Sequence, residues 1–209
     1  MRLSIAITIL TGLTFLSACS DPSTNKSKAV TGEAAPVASP SGAGGQKYLI
    51  TPQNSKLEFT ASQVTGTHSG SFGDFSGQID FGGTPEQSRV KITIKSDSIT
   101  ADNPDLTKHL KTADFFDVAK FPETTFVSTA IRAGGDKGAS HTVTGNLTMH
   151  GITRSISFPA TINVTPDAAT LESTFSLNRK DFSLTYPGAP DNAIRDNVVL
   201  TLHVRASKG

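Results

Sequence analysis

The chain has 209 residues, of which 36% are hydrophobic and 18% are charged, and its formal net charge is +1 at pH 7. Acidic and basic residues are mixed along the sequence, so the basic stripe typical of nucleic-acid-binding proteins is absent from it and no nucleic acid partner is expected. Its single cysteine leaves no pair for an intramolecular disulfide.

The first eighteen residues have the pattern of a secretory signal. Arg2 precedes an apolar stretch that ends at Phe15, which is short of the roughly 20 apolar residues needed to span a bilayer. The following Leu-Ser-Ala-Cys19 resembles the lipobox of bacterial lipoproteins, in which the cysteine is acylated and becomes the first mature residue. The alternative is an ordinary signal peptide with a cysteine at its cleavage site. We expect a lipoprotein signal peptide at 1–18 and lipid attachment, such as palmitate, at Cys19.

Residues 19–46 are predicted to form an acylated, disordered tether. From Ser20 to Gln46 the sequence has no apolar period and no aromatic residue, so it offers little surface to bury. A flexible chain of this length has a coil dimension on the order of 30 Å. By resemblance to lipoprotein sorting in Gram-negative bacteria, Ser20 favours the outer membrane. The expected location is therefore the cell envelope, with the protein anchored by its acyl chains and facing the periplasm.

Residues 47–209 form one predicted domain rich in strands. Period-two alternation is clearest at Arg89 to Lys95, where every second side chain is β-branched. Eight segments show this alternation: 56–61, 72–81, 89–95, 124–131, 142–149, 156–164, 171–177 and 198–204. Turn residues separate many of them, as at Gly82-Gly83, Gly134-Gly135, His150-Gly151 and Pro166-Asp167. Because the links are short, neighbouring strands are expected to be antiparallel.

One stretch breaks the alternation and predicts a short helix. Asn103 and Pro104 form a helix start, after which Leu106 and Leu110 lie four residues apart, so a helix near residues 104–116 is expected between the third and fourth strands. Eight antiparallel strands can form a sandwich or a closed barrel, and periodicity alone does not decide between them. A closed barrel removes the free edges and is wide enough for one slender ligand.

A series of motifs resembles the YceI-like family over nearly the whole domain. The motifs are 48–55, 70–77, 98–100, 109–117, 121–122, 125–129, 143–154 and 178–182. The resemblance implies an all-β, eight-stranded antiparallel lipocalin-like barrel that encloses an isoprenoid-type lipid, polyprenyl or quinone-like, and it leaves a homodimer open. Two departures concern the rim of the barrel: Ser183 stands where the family commonly has Gly, and Pro187 to Pro190 lengthen the next loop.

Inward-facing positions of these strands and of the helix are the predicted ligand contacts. They are Phe59, Phe72, Phe75, Ile92, Ile94, Leu110, Phe115, Phe116, Phe126, Leu147, Phe158 and Phe175. For each of them, simple packing in the core is the alternative. His109 and Arg179 are candidates for contacts with a polar head group, with surface exposure of His109 and ion pairing of Arg179 to Asp181 or Asp196 as alternatives.

Metal and catalytic sites have little support in the sequence. The five histidines are scattered without a His-x3-His pair, and no Gly-x-Ser-x-Gly elbow occurs. We therefore expect no catalytic residue, metal or cofactor. The predicted function is that of a membrane-tethered periplasmic protein, not an enzyme, that sequesters or carries an isoprenoid-type amphiphile. The alternative is an envelope-stress or surface interaction lipoprotein whose barrel is filled by its own Phe side chains and which exposes an apolar patch to a partner.

Overall fold

The structure is a computed structural model that describes residues 21–37 and 45–209. The predicted signal peptide and Cys19 lie outside these residues. Within them there are fifteen strands and one α-helix: β1 Ser27–Lys28, β2 Val30–Gly32, β3 Gln46–Ile50, β4 Lys56–Ser62, β5 Thr67–Phe72, β6 Phe75–Phe81, β7 Arg89–Lys95, β8 Ile99–Ala101, α1 Pro104–Leu110, β9 Glu123–Ala133, β10 His141–Met149, β11 Ile152–Val164, β12 Ala168–Asn178, β13 Gly188–Ala189, β14 Asn192–Ala193 and β15 Asn197–Lys208.

The long strands close into an eight-stranded antiparallel barrel, which confirms the predicted fold. The pairs β3–β4, β5–β6 and β7–β8 each occupy one position around the barrel, because each pair is a single strand interrupted by a bend. The strands β9, β10, β11, β12 and β15 occupy the other five. Closure comes from β15, which pairs with β12 on one side and with β3 and β4 on the other.

The two ends of the barrel differ. We call the end that carries α1 and residues 179–196 the capped end. The opposite end carries the loops 82–88, 134–140 and 165–167. At the capped end β10 and β11 are joined by the predicted turn at His150 and Gly151, whose φ angles of 50° and 74° match the left-handed turn that suits a two-residue hairpin.

The helix α1 is shorter than predicted. Asn103 caps it as expected, because its Oδ1 accepts from the backbone N–H groups of Asp105 and Leu106 at 2.8 and 3.0 Å. The prediction that helix continues to residue 116 is wrong: α1 ends at Leu110, whose carbonyl accepts from the N–H of Phe116 at 3.1 Å, six residues on. This tight turn directs the side chains of both Phe115 and Phe116 into the barrel. On a continuous helix these two adjacent side chains would point in different directions.

The prediction of a disordered tether is wrong for residues 21–37. Here β1 pairs with β12 in parallel, and β2 pairs with β11 in antiparallel register. We call residues 27–32, which comprise β1, Ala29 and β2, the strap. The strap is poor in apolar side chains, but its main-chain N–H and C=O groups form hydrogen bonds with the edges of two barrel strands. A prediction from composition does not take such bonds into account. No helix in the described part of the chain is long and apolar enough to cross a membrane.

Candidate ligand cavity

An apolar cavity of about 230 Å³ lies inside the barrel and reaches the elements of the capped end. Strand alternation gives the cavity its apolar wall, since every second side chain of each barrel strand points inward. Eleven of the twelve predicted ligand contacts line it: Phe59, Phe72, Ile92, Ile94, Leu110, Phe115, Phe116, Phe126, Leu147, Phe158 and Phe175. The structure brings these side chains together around one space, while their contact with a ligand stays a prediction.

Phe75 is the predicted contact that does not line the cavity. It is 3% exposed and packs in a cluster with Tyr48, Ile50 and Leu57. The alternative weighed from the sequence, simple packing in the core, therefore describes its position. Phe75 begins β6 directly after the bend at Gly73 and Asp74, and period-two alternation cannot be carried across such a bend.

Polar side chains contribute little to the lining. Among the described residues only Glu58, Thr124 and Arg179 are polar and touch the cavity. The Glu58 side chain is 44% exposed, and its Oε2 lies 3.9 Å from Nε2 of His203, so its charge is on the outer face of the barrel. Thr124 is 4% exposed, and its hydroxyl has no hydrogen-bond partner within the part of the chain that the structure describes. The cavity therefore offers an almost wholly apolar surface.

Arg179 holds the capped end together from inside. Its guanidinium donates to the carbonyl oxygens of Leu184, Ile194 and Arg195, and its Nη2 lies 3.8 Å from Oδ1 of Asp196. Burial lowers the pKa of Arg179 below its ordinary value, and the charge of Asp196 opposes this shift. The predicted pairing with Asp196 is present as a long contact, and most of the donors are taken by main-chain carbonyls. Arg179 thus ties residues 184–196 to the end of β12.

His109 lies outside the cavity lining. Its Nε2 is 2.7 Å from Oδ2 of Asp114, and its ring packs edge-on against Phe115 and Tyr186 with centroid distances of 5.0 Å to each. Phe115 and Tyr186 also contact each other, with centroids 5.1 Å apart. This aromatic cluster joins the two capping elements, since Tyr186 belongs to residues 179–196 and the others to α1 and its following turn.

The two sequence departures lie beside this cluster. Ser183 follows a 3-10 turn at Arg179–Phe182 and has φ 59° and ψ 22°, a left-handed conformation in which glycine is preferred. The segment Pro187 to Pro190 does not form an open loop, because it contains β13, which pairs with β14 in a small hairpin. Both features lie in the cap, outside the barrel strands.

Several cavity residues were missed in the sequence. Among them are apolar residues of the last strands and of the capping segment: Leu171, Leu177, Leu184, Ile194, Val198, Leu200, Leu202 and Val204. Others lie on the earlier strands: Ile50, Leu57, Ala61, Ile79, Val90, Val143, Met149 and Ile156. For β12 and β15 the signal was available, since these residues follow the same period-two alternation as the residues that were chosen. For Leu184 and Ile194 no periodic signal exists, because they lie in an irregular segment.

A second, smaller cavity of about 40 Å³ lies toward the opposite end of the barrel.

Comparisons with known proteins identify the family of this chain. A model of the YceI-like domain matches residues 48–206, which is well over half of the chain. The chain belongs to the YceI-like family. A UPF0312 protein of Pseudomonas putida strain GB-1 is 38% identical over 132 residues, or 60% of this chain and 68% of that protein. A UPF0312 protein of Pseudomonas fluorescens strain SBW25 is 33% identical over the same number of residues.

Solved structures show the same fold. BcnA of Burkholderia cenocepacia aligns with this YceI-like chain at a TM-score of 0.66 and 24% identity, over 76% of this chain and 99% of BcnA. A YceI protein of Campylobacter jejuni aligns at 0.58 and 26% identity, over 67% and 84% of the two chains. A polyisoprenoid-binding domain of Saccharophagus degradans, implicated in plant cell wall breakdown, aligns at 0.62 and 15% identity, over 78% and 99%.

Within residues 21–37 and 45–209, no three His, Cys, Asp or Glu side chains group closely enough to hold a metal ion. The titratable groups inside the cavity reduce to Arg179, whose donors are engaged with carbonyl oxygens. The site is thus an apolar cavity with the buried Arg179 and its hydrogen bonds to main-chain carbonyls at one end.

Proposed function

We propose that this protein binds an isoprenoid-type lipid in its barrel and sequesters or carries it without chemical conversion. The observation that carries the proposal is the apolar cavity of about 230 Å³, whose lining exposes no free charged group among the described residues. Burying about 300 Å² of an isoprenoid chain there would contribute roughly 8 kcal/mol before the costs of binding are subtracted. This cavity is smaller than the roughly 300–1,000 Å³ that ligand pockets usually measure. Binding of a long chain therefore requires lining side chains to move.

Two further observations support this proposal. A barrel filled by its own Phe side chains would leave no space of this size, so the cavity favours ligand binding over the interaction-protein alternative. The domain of Saccharophagus degradans that shares this fold is a polyisoprenoid-binding domain. A branched, flexible and uncharged chain suits a wall of Phe, Leu, Ile and Val, since such a wall offers dispersion contacts and few hydrogen bonds.

Membrane attachment is part of the proposal. We infer that the protein is exported and acylated on Cys19, and that it faces the periplasm from the outer membrane. The support is the Leu-Ser-Ala-Cys19 sequence after an apolar stretch, together with the position of Ser20. A lipid carrier benefits from this anchor, because several acyl chains keep it at the surface from which its ligand comes.

Native mass spectrometry with lipid extraction tests ligand binding on the protein exported by a bacterial host. The wild type is expected to carry an isoprenoid at near one molecule per chain. Ala61→Phe, which places a ring in the cavity, is expected to reduce this occupancy several-fold. The matched control Ala133→Phe alters an exposed residue at the end of β9 and should leave occupancy unchanged. A wild-type protein that carries no lipid and takes up neither added polyprenyl lipids nor quinones would contradict the proposal.

A further inference from the structure

The strands β11 and β12 pair directly only toward the opposite end of the barrel. Thr161 pairs with Glu172 there. Four residues closer to the capped end on each strand, the same register would place Ser157 against Ser176. Instead Ser157 pairs with Val30 and Ser176 pairs with Lys28. The two strands have separated, and the strap fills the gap between them.

Pro159 explains why β11 and β12 separate at this point. Its carbonyl oxygen accepts from the side chain of Ser173 at 2.5 Å, so this face of the residue is directed to β12. Proline has no N–H with which to continue the ladder to that strand, and within sheets it is confined to edges and interruptions. The sequence of β11 therefore creates a gap that another segment must close.

The strap is held in the gap mainly by main-chain hydrogen bonds. The N–H of Ala29 donates to the carbonyl of Ser176 at 2.8 Å. Only small side chains of the strap are buried, since Ser27 and Ala29 are 8% and 5% exposed while Val30 is 71% exposed. A segment with few buried apolar contacts opens locally more readily than the core around it.

Contacts at the two ends of the strap are polar as well. The Ser27 hydroxyl donates to Oδ2 of Asp136 at 2.5 Å. Beyond the strap, the amide of Asn146 bonds both the N–H and the carbonyl of Ala35, at 2.9 and 2.6 Å. These contacts are made by side chains of the barrel surface, so Ala29 is the one apolar side chain of the strap that must leave the core when the strap is released.

The strap covers the wall of the cavity. Phe158 and Phe175 stack with their ring centroids 4.4 Å apart and their planes 11° from parallel. Both line the cavity, and both belong to the same buried cluster as Ala29. Departure of the strap would therefore expose cavity-lining rings at the side of the barrel rather than at its capped end.

We propose that the strap is a removable strand of the barrel wall, and that its release opens a lateral entry for the apolar chain of a membrane lipid. This inference rests on the proposed function, because it assumes that a lipid enters the cavity. Ser27 lies eight positions after Cys19 in the sequence, which corresponds to at most about 29 Å for an extended chain. An acylated Cys19 therefore holds this side of the barrel near the membrane from which the lipid is taken.

A disulfide between the strap and β11 tests the lateral entry. The exported protein carries Val30→Cys with Ser157→Cys, two positions that face each other in the sheet. Lys28→Cys with Ser176→Cys locks the other edge of the strap. The matched control, Thr161→Cys with Glu172→Cys, links β11 and β12 where they already pair. Uptake of all-trans-retinol from phosphatidylcholine vesicles is followed by its fluorescence before and after reduction with dithiothreitol.

Oxidation of either strap lock is expected to slow retinol uptake at least tenfold, and reduction should restore the rate. The control pair should give the same rate in both states. Equal uptake by the oxidised and reduced strap locks would overturn the lateral entry. If retinol binds to none of the proteins, the proposed function fails for this probe. Hydrogen exchange then decides on the strap, since exchange of the β2 amides ahead of those at 161–164 supports a removable strand, and equal protection overturns it.

Discussion

At the scale of single residues, Ser183 carries a backbone conformation that its side chain disfavours. Its φ of 59° follows from the tight reversal after the 3-10 turn, where the Ser183 N–H donates to the carbonyls of Arg179 and Lys180. A left-handed residue with a Cβ costs about 1–2 kcal/mol, whereas glycine adopts the same angles without this cost. The barrel therefore tolerates a strained residue at the rim of its cap.

Ser183→Gly is expected to raise the free energy of unfolding. The relieved strain exceeds the roughly 0.4–1 kcal/mol that glycine's greater freedom in the unfolded chain costs, which leaves a gain of about 1 kcal/mol. Urea unfolding followed by circular dichroism measures it. Ser183→Ala keeps the Cβ and serves as the control, with no gain expected. A glycine variant less stable than the wild type would contradict this explanation.

Arg179 is a buried residue whose loss should be felt in stability. Arg179→Met leaves the carbonyl oxygens of Leu184 and Ile194 without their donor, and the expected cost is about 2–4 kcal/mol. Arg179→Lys should recover only part of this, because the compact ammonium cannot span the separate acceptors that the planar guanidinium reaches from its three nitrogens. Lys180→Met is the matched control, since Lys180 bonds the same Asp196 at 2.9 Å but is 48% exposed. If Arg179→Met and Lys180→Met lowered the free energy of unfolding equally in chemical denaturation, the hydrogen bonds of Arg179 would not be what stabilises the cap.

At the scale of elements, the strap is held more by polar contacts than by apolar burial. The hydroxyl of Ser27 is the main cause that lowers the pKa of Asp136 below its ordinary value, with smaller contributions from the backbone N–H and the charge of Lys137. A lowered pKa means that the carboxylate is stabilised in the folded protein. The contribution is complete above the ordinary aspartate pKa of about 3.9 and is lost as the pH falls through the lowered value.

The strap is therefore expected to loosen in acid. Protection factors of the β2 amides, corrected for intrinsic exchange, should fall between pH 6 and pH 3 relative to those at residues 161–164. Asp136→Asn removes the titrating group, and its strap protection relative to the same reference should be nearly the same at both pH values. A wild-type strap whose relative protection does not change with pH would show that Asp136 contributes nothing to its closure.

At the scale of the whole molecule, the cavity links ligand binding to stability. A ligand that binds only the folded barrel adds about 2.7 kcal/mol when its concentration is 100 times its Kd. For a domain of this size, that corresponds to a rise in Tm of roughly 5–11 °C. Removal of the co-purified lipid by solvent extraction and refolding should therefore lower Tm by several degrees. Added isoprenoid should restore it for the wild type but not for Ala61→Phe.

The same measurement separates a carrier from a barrel with incidental space. A delipidated protein with an unchanged Tm, and with no shift on adding isoprenoid, would mean that the cavity of about 230 Å³ is a packing defect rather than a binding site. An aliphatic compound without branches, such as hexadecane, serves as the comparison ligand. It should raise Tm less than an isoprenoid if the Phe and Ile side chains are shaped for a branched chain.

Much of the fold could be predicted because period-two alternation is a local property of the chain. It located all eight barrel positions and identified inward-facing residues such as Ile92 and Phe126. It failed where the chain bends or is irregular, at Phe75 after a bend and at Leu184 in the cap. The helix prediction, made from the cap residues and the spacing of Leu106 and Leu110, failed at the end of α1, which is set by a turn that places Phe115 and Phe116. These positions depend on contacts between distant segments, which a window of sequence does not contain.

The sequence by itself determined a strand at each of the eight barrel positions, the antiparallel order and the apolar character of the interior, since these follow from side-chain alternation and short links. Only the tertiary structure decided that the sheet closes, because closure depends on β15 meeting both β12 and the first strands. It also decided the fate of residues 27–32. Their composition predicts a free tether, but Pro159 leaves a gap between β11 and β12, and unpaired strand edges bind even an apolar-poor segment through its main chain.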